Sequence, residues 1–413
     1  MDGVHKLLTH EDCTKIIQAK LGTNDVKVLS HRIKPFSDEV KGLMGQHYRV
    51  EIDYEEEISK TEQFFMKILN GSLKTLFDMC MSANAYEKEE FIYVTYLTEL
   101  KKFNIELDCL PRCFLCRPYV TVLEDLSVKG YSEVPNDNMD LDTCKIALES
   151  IAKLHGSGIL YEAYKTQVQG SRYRLIDNYP SVLRNVFLSK DDNIPKVWFR
   201  KSLEGLYELI RILPENHIKN EIYEAKLREY VSRLDVISAS FDNHLCTVLH
   251  GDLWQNNFLF KYYDRKPCHN VLLDFQLIAY GPPSSDVLHF IFHNTRKSFR
   301  DVNMQILIDY YYECVKRYLC QHHFPDVPTK DQILLLTKDV QVLVKLLCLL
   351  DRAVTIIPCD VPASTFDNDE EFRKYLFDER ATYLVNSYRA DDAFREIIEE
   401  DLLELRNLLC SGC

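Results

Sequence analysis

Two stretches near the start of the chain, "VKVLSHRIKPFS" and "GQHYRVEIDYEE", alternate apolar and polar residues, the period of half-exposed antiparallel strands. A third β-rich run closes "SKTEQFFMKILN". The period then lengthens. In "ANAYEKEEFIYVTYLTELKKF", Tyr86, Glu89 and Tyr93 recur at intervals of three and four, which predicts a helix, and "RPYVTVLEDL" returns to strand and stops in acids.

After about residue 127 the pattern is mainly helical. "DLDTCKIALESIAKLHGSGI", "PKVWFRKSLEGLYELIRILP" and "NEIYEAKLREYVSRLDVISAS" are amphipathic helices separated by breakers. "VLHGDLWQNNFLF" interrupts them, followed by a turn at "YYDRKPCHN" and a second apolar strand, "VLLDFQLI". From about residue 285 the chain is helical again, as in "MQILIDYYYECVKRYLC" and "KDQILLLTKDVQVLVKLLCLLDRAV". The expected fold is α+β, with a small β-rich lobe over residues 1–126 and a large helical lobe over 127–413 that carries an inserted hairpin.

The 413 residues suffice for two lobes, and 46% hydrophobic with 27% charged residues is ordinary globular composition. A formal net charge of −13 argues against a nucleic-acid partner held by its phosphate backbone. No run of about 18 apolar residues predicts a membrane span. The opening "MDGVHKLLTHEDC" has acids where a secretory signal wants bases, which leaves the cytoplasm as the expected address. The 14 cysteines are scattered; only "CLPRCFLC" and the terminal "CSGC" group them, so they read as reduced, small apolar residues rather than zinc ligands.

The interruption at 248–260 raises the chemical question, because buried polar groups cost free energy unless they are partnered. Phosphoryl transfer needs a loop over the phosphates, a lysine with its anchoring carboxylate, metal ligands, and a carboxylate to orient the attacking hydroxyl. Asp252 is followed five residues later by Asn257, the spacing of a catalytic Asp and a metal-binding Asn on one kinase loop. Asp274, in "LLDFQ", ends the next strand, where a hairpin would bring it beside Asn257 to share Mg²⁺. Lys67 lies in "FFMKIL", in the pattern of a phosphate-gripping lysine strand, and Glu89 sits on the following helix, placed to pair with it. Gly42 and Gly45 mark a strand turn where backbone N–H groups could approach phosphates, although a plain hairpin would use the same residues. "VLEDL", residues 122–126, has the strand-then-acid form of an inter-lobe hinge whose backbone would bind adenine.

"HGDLWQNN" and "LLDFQ", taken with "VLEDL", "SIAKLHG" and "YGPPSSDVLHF", resemble the ecdysteroid kinase-like family of insects. This family is also called CHK kinase-like or juvenile-hormone-inducible-type, and belongs to the choline kinase and aminoglycoside phosphotransferase superfamily. The resemblance runs over roughly residues 20–350 in consistent order. It implies a bilobal, protein-kinase-like fold and transfer of a phosphoryl group from ATP to a small-molecule hydroxyl. It makes Asp252 the catalytic base, Asn257 and Asp274 the Mg²⁺ ligands, Lys67 the holder of the α/β phosphates, Glu89 its positioner, and Glu124, Asp125 and Leu126 the adenine hinge. It also implies that Asp286 holds catalytic-loop backbone, where the residue pattern by itself reads as a helix cap.

Each residue has a simpler reading. Asp252 could cap a turn, Lys67 could be a solvated strand end, and Glu87 or Glu90 could replace Glu89. His250 and His155 read as structural histidines around the loop, and Trp254 as packing or pocket lining. The resemblance implies an ecdysteroid or a xenobiotic phosphorylated for detoxification as the acceptor. The apolar helix faces of the second lobe are compatible with a bulky lipophile, but equally with ordinary core. A choline- or ethanolamine-type acceptor would need an aromatic cage. A binding protein without catalysis would have no need of the base and both metal ligands together. A protein kinase is disfavoured, since no A-P-E segment follows "DFQ". Sequence does not reach the oligomeric state.

Overall fold

The structure is a computed structural model and describes residues 7–36, 45–56, 58–69, 71–135, 139–188, 192–214 and 217–410. Its N-terminal part is a five-stranded antiparallel sheet of β1 (Lys27–Pro35), β2 (Gly45–Glu55), β3 (Ser59–Leu69), β4 (Cys113–Arg117) and β5 (Val120–Glu124), in spatial order β1-β2-β3-β5-β4. The alternation read from sequence sets its two faces. Val50, Ile52, Tyr54, Phe64 and Met66 point one way and bury against Cys13, Ile16 and Ile17 of the helix His10–Leu21. Facing the other way, Arg32 pairs with Asp53 at 2.8 Å and with Glu51 at 3.0 Å. Further along that second face lie His47 and Lys67, directly opposite in the β2–β3 register.

The predicted helix after β3 forms as Ala85–Glu90, a π-turn Phe91–Tyr96 and Leu97–Lys101. Phe91, Ile92, Tyr93, Tyr96 and Leu100 bury with the helical part of the molecule. The helix Leu141–Gln169 is the axis of that part and packs on the helix Lys297–Gln321. It runs through two glycines where a helix would ordinarily lose stability. A Cβ at Gly158 would stand 2.2 Å from Thr247 Oγ1 and one at Gly156 2.5 Å from the Tyr318 ring, so close approach requires glycine at both.

The inserted β structure comprises β6 (Tyr131–Ser132), β7 (Thr247–Leu249), β8 (Phe258–Tyr263), β9 (Lys266–Leu272) and β10 (Ala279–Gly281), paired as β6-β8-β9 and β10-β7. Asp264 and Arg265 turn the β8–β9 hairpin with φ of 47° and 62°, the two left-handed residues of a tight hairpin. Among the described residues no helix is long and apolar enough to cross a membrane.

Candidate active site

The loop after β7 is fixed from below before any functional side chain is considered. Asp286, on the helix Ser284–Asn294, accepts from the backbone N–H of His250 at 2.6 Å and of Gly251 at 3.1 Å. His155 Nε2 lies 3.0 Å from the same carboxylate, and its Nδ1 is 2.7 Å from the Tyr311 hydroxyl. Asp286 therefore does hold loop backbone and does not cap its helix. Gly251 adopts φ +79°, and a Cβ there would lie 2.2 Å from the Leu277 carbonyl oxygen, so the position admits only glycine.

His250 Nδ1 accepts the Asp252 N–H at 3.3 Å while Nε2 sits 2.8 Å from the Leu273 carbonyl. These partners assign the neutral Nε2–H tautomer, and burial pushes the ring pKa down in the same sense. The Leu253 N–H donates to His289 Nδ1 at 3.2 Å, and Asn294 Nδ2 donates to the Leu253 carbonyl at 2.7 Å. The loop is thus bonded on both sides of Asp252.

Asn257 Nδ2 donates to the Asp252 carbonyl at 2.7 Å and to its Oδ2 at 2.9 Å. Both amide protons are engaged, which leaves the Asn257 side-chain oxygen for another partner. The Leu273 N–H donates to the Asn257 carbonyl at 2.9 Å, so the hairpin holds Asn257 and Asp274 at one end of neighbouring strands. Asp274 stands at φ +63°, a conformation a non-glycine residue keeps only where its surroundings impose it. Its Oδ1 is 2.8 Å from Lys67 Nζ, which also donates to Glu89 Oε1 at 3.4 Å.

Burial works against the Lys67 ammonium, but Asp274 and Glu89 outweigh it and hold its pKa above that of free lysine. Burial alone would raise the Asp274 carboxyl, yet Lys67 keeps it below the usual range. At Asp252 the balance is reversed, because Lys67 and the Asn257 hydrogen bond favour the carboxylate but are outweighed. Burial, with the charges of Asp351 and Asp274, pushes its carboxyl well up, in the direction that makes it a better proton acceptor. His47, opposite Lys67, is pushed down to about 4 by burial and by that ammonium.

Of the residues read from sequence, the structure brings together Lys67, Glu89, Asp252, Asn257 and Asp274. Gly45 begins β2 over the Lys67 stem, where a Cβ would lie 3.0 Å from Lys67 Cε. Gly42 lies outside the described residues. Glu124 ends β5 and accepts the Arg112 N–H at 2.9 Å. Asp125 caps its own turn by accepting the Ser127 N–H at 3.0 Å and also takes Arg49 Nε at 3.2 Å; Leu126 is buried. The described cysteines are free thiols.

Sequence reasoning missed a second layer. His293 Nε2 and Asp351 Oδ2 approach to 3.0 Å, beside His289 and Trp254. The i, i+4 spacing of His289 and His293 was the available signal, but nothing local connects them to Asp351. Behind Gly251 and His289 opens a cavity of ≈ 510 Å³, lined by Leu188, Phe241, Leu249 and Leu347 with Arg184 and Tyr280. That is ample for a small organic molecule.

No curated protein matches the sequence. Among solved structures, the ethanolamine kinase of Plasmodium vivax superposes with a TM-score of 0.42 at 11% identity, covering 98% of this chain and 92% of that one. Choline kinase LicA of Streptococcus pneumoniae gives 0.38 at 12%, covering 92% and 99%, and a putative aminoglycoside phosphotransferase of Ralstonia eutropha gives 0.39 at 12%, covering 95% and 98%. These likenesses are distant, and the assignment rests on the sequence match instead. Residues 40–324, well over half of the chain, match the ecdysteroid kinase-like family, and the protein belongs to that family.

Proposed function

We propose that this member of the family, a small-molecule kinase, transfers the γ-phosphoryl group of ATP to a hydroxyl of a lipophilic acceptor, with Asp252 as base. One observation supports this most. Lys67 stands between Glu89 and Asp274, while Asp252 and Asn257 are tied together at the start of the same hairpin. In this reading residues 1–126 hold nucleotide and 127–413 carry the chemistry and the acceptor. Lys67 meets the α/β phosphates, Glu89 positions Lys67, and the backbone at 124–126 meets adenine. Gly45, which begins β2 beside the Lys67 stem, faces the phosphates.

The donor set suits Mg²⁺, since the Asn257 side-chain oxygen and the Asp274 carboxylate are hard oxygen ligands. Bound there, the ion would neutralise charge on the phosphates. The acceptor hydroxyl, hydrogen-bonded to Asp252, forms its bond to the γ-phosphorus as the bridge to the β-phosphate breaks. Its proton passes to the Asp252 carboxylate, and ADP leaves.

In this reading the acceptor is a steroid or a xenobiotic, hence hormone inactivation or detoxification in the cytoplasm; the apolar part of the mixed lining of the cavity beside Gly251, with Leu188, Phe241 and Leu347, suits such a molecule. The net charge of −13 supports the absence of a nucleic-acid partner. The test is a screen of hydroxyl compounds with ATP and Mg²⁺, scored by mass spectrometry for a phosphate adduct. An adduct that Asp252→Asn abolishes is expected; turnover retained by Asp252→Asn overturns the assignment.

A further inference from the structure

Lys88 precedes Glu89 on the helix Ala85–Glu90 and faces away from it. It is 1% exposed, and its ammonium reaches three backbone carbonyls: Ile278 at 2.5 Å, Val182 at 2.8 Å and Arg184 at 3.2 Å. Three donors meet three acceptors. No ion pair accompanies them among the described residues, and burial pushes the Lys88 pKa down to about 7. A buried cation without a counter-ion is costly, and an apolar side chain would fill the same core space at less cost. What the ammonium provides instead is attachment at defined points.

Those points lie on the two segments that matter to the site. Val182 and Arg184 belong to the stretch whose Leu183 and Arg184 wall the cavity. Ile278 follows Asp274 by four residues and precedes Ala279 and Tyr280, which wall it too. The neighbouring Leu277 carbonyl is the one that Gly251 abuts. One turn of helix therefore carries Glu89 toward Lys67 on one side and a three-point attachment to the cavity wall and the post-Asp274 segment on the other.

We infer that Lys88 is a positioning residue, setting the helix that bears Glu89 against the cavity wall and the Asp274 segment so that Lys67 is presented to nucleotide. This rests on the reading of Lys67 and Glu89 as the nucleotide-anchoring pair. The experiment needs no acceptor. ADP with Mg²⁺ is titrated calorimetrically into wild type, Lys88→Met, Lys88→Arg, Glu89→Gln and the double variant Lys88→Met/Glu89→Gln, with circular dichroism checking each fold.

Lys88→Met is expected to weaken ADP binding at least tenfold. Lys88→Arg, which keeps the charge on a longer planar head, is expected to weaken it less. In the Glu89→Gln background, Lys88→Met is expected to add less than a twofold change, because Lys88 acts through Glu89. A structural role alone would give additive losses. Binding within twofold of wild type by Lys88→Met overturns the inference, as do additive losses in the double variant. If Lys88→Met does not fold, Lys88→Gln, which removes the charge but keeps a polar head, serves in its place, and binding within twofold of wild type by Lys88→Gln overturns the inference. Failure of wild type itself to bind ADP would instead strike the nucleotide reading.

Discussion

Replacing Lys67 with methionine removes the cation that Glu89 and Asp274 share. The two contacts, at 3.4 Å and 2.8 Å, each correspond to about 5–6 kcal/mol of attraction at an effective dielectric constant of about 20, before desolvation is charged against them. The side chains differ in access to water, which sets the net effect. Glu89 is 5% exposed and Asp274 29%, so water can take over at Asp274 but hardly at Glu89. Breaking one partner from a buried pair typically costs about 3–5 kcal/mol, and we expect the lower end, about 3 kcal/mol, for Lys67→Met. Adding Glu89→Gln removes the stranded charge and should recover about half of that or more. The assay is urea unfolding without nucleotide or divalent cation, followed by tryptophan fluorescence. A Lys67→Met protein within about 0.5 kcal/mol of wild type would refute the buried pairing, as would a double variant no more stable than the single one.

Three further outcomes follow from the same geometry. His47 and His289 are each pushed down to about 4 by burial, so between about pH 4 and 6.5 the unfolded chain binds protons the folded chain does not. Stability should fall as pH drops through that window, by up to about 1.4 kcal/mol per pH unit for each histidine, and urea midpoints of His47→Gln at pH 7.5 and 5 should show a smaller drop than wild type. Asp351→Asn removes a charge that, after burial, does most to hold the Asp252 carboxyl up. The acid limb of the pH–rate profile should then move to lower pH; an unmoved limb would disconnect the two carboxyls. Gly251→Ala must relieve a 2.2 Å approach to Leu277 backbone at φ +79°, so turnover should collapse and the melting temperature fall, whereas wild-type-like activity would contradict the loop geometry.

The local pattern carried much of the architecture. β1, β2 and β3 appear where apolar and polar residues alternate, because one face packs on a helix and the other meets charge or the cleft. β4 has no readable signal in the sequence, because "CFLCR" is too short to show a period. The helix Leu141–Gln169 runs past Gly156 and Gly158 for a reason set by Tyr318 and Thr247, which are remote in sequence. The π-turn Phe91–Tyr96 carries no signal of its own that spacing could reveal.

At the site, Asp252, Asn257 and Asp274 were legible because one hairpin holds them, and the pairing of Lys67 with Glu89 because strand and helix are consecutive. Asp351 and the carbonyls gripped by Lys88 were not. Their partners arrive from separate helices and strands, and only tertiary packing brings them within reach.

The central claim is that Asp252, Asn257 and Asp274 gather around a divalent ion beside a nucleotide triphosphate. It is tested most directly by calorimetric titration of a non-hydrolysable ATP analogue, with and without Mg²⁺, into wild type, Asn257→Ala and Asp274→Asn. We predict that Mg²⁺ tightens binding by wild type and has little effect on binding by either variant. Wild-type affinity indifferent to Mg²⁺, or a metal effect that survives both substitutions, would contradict the account.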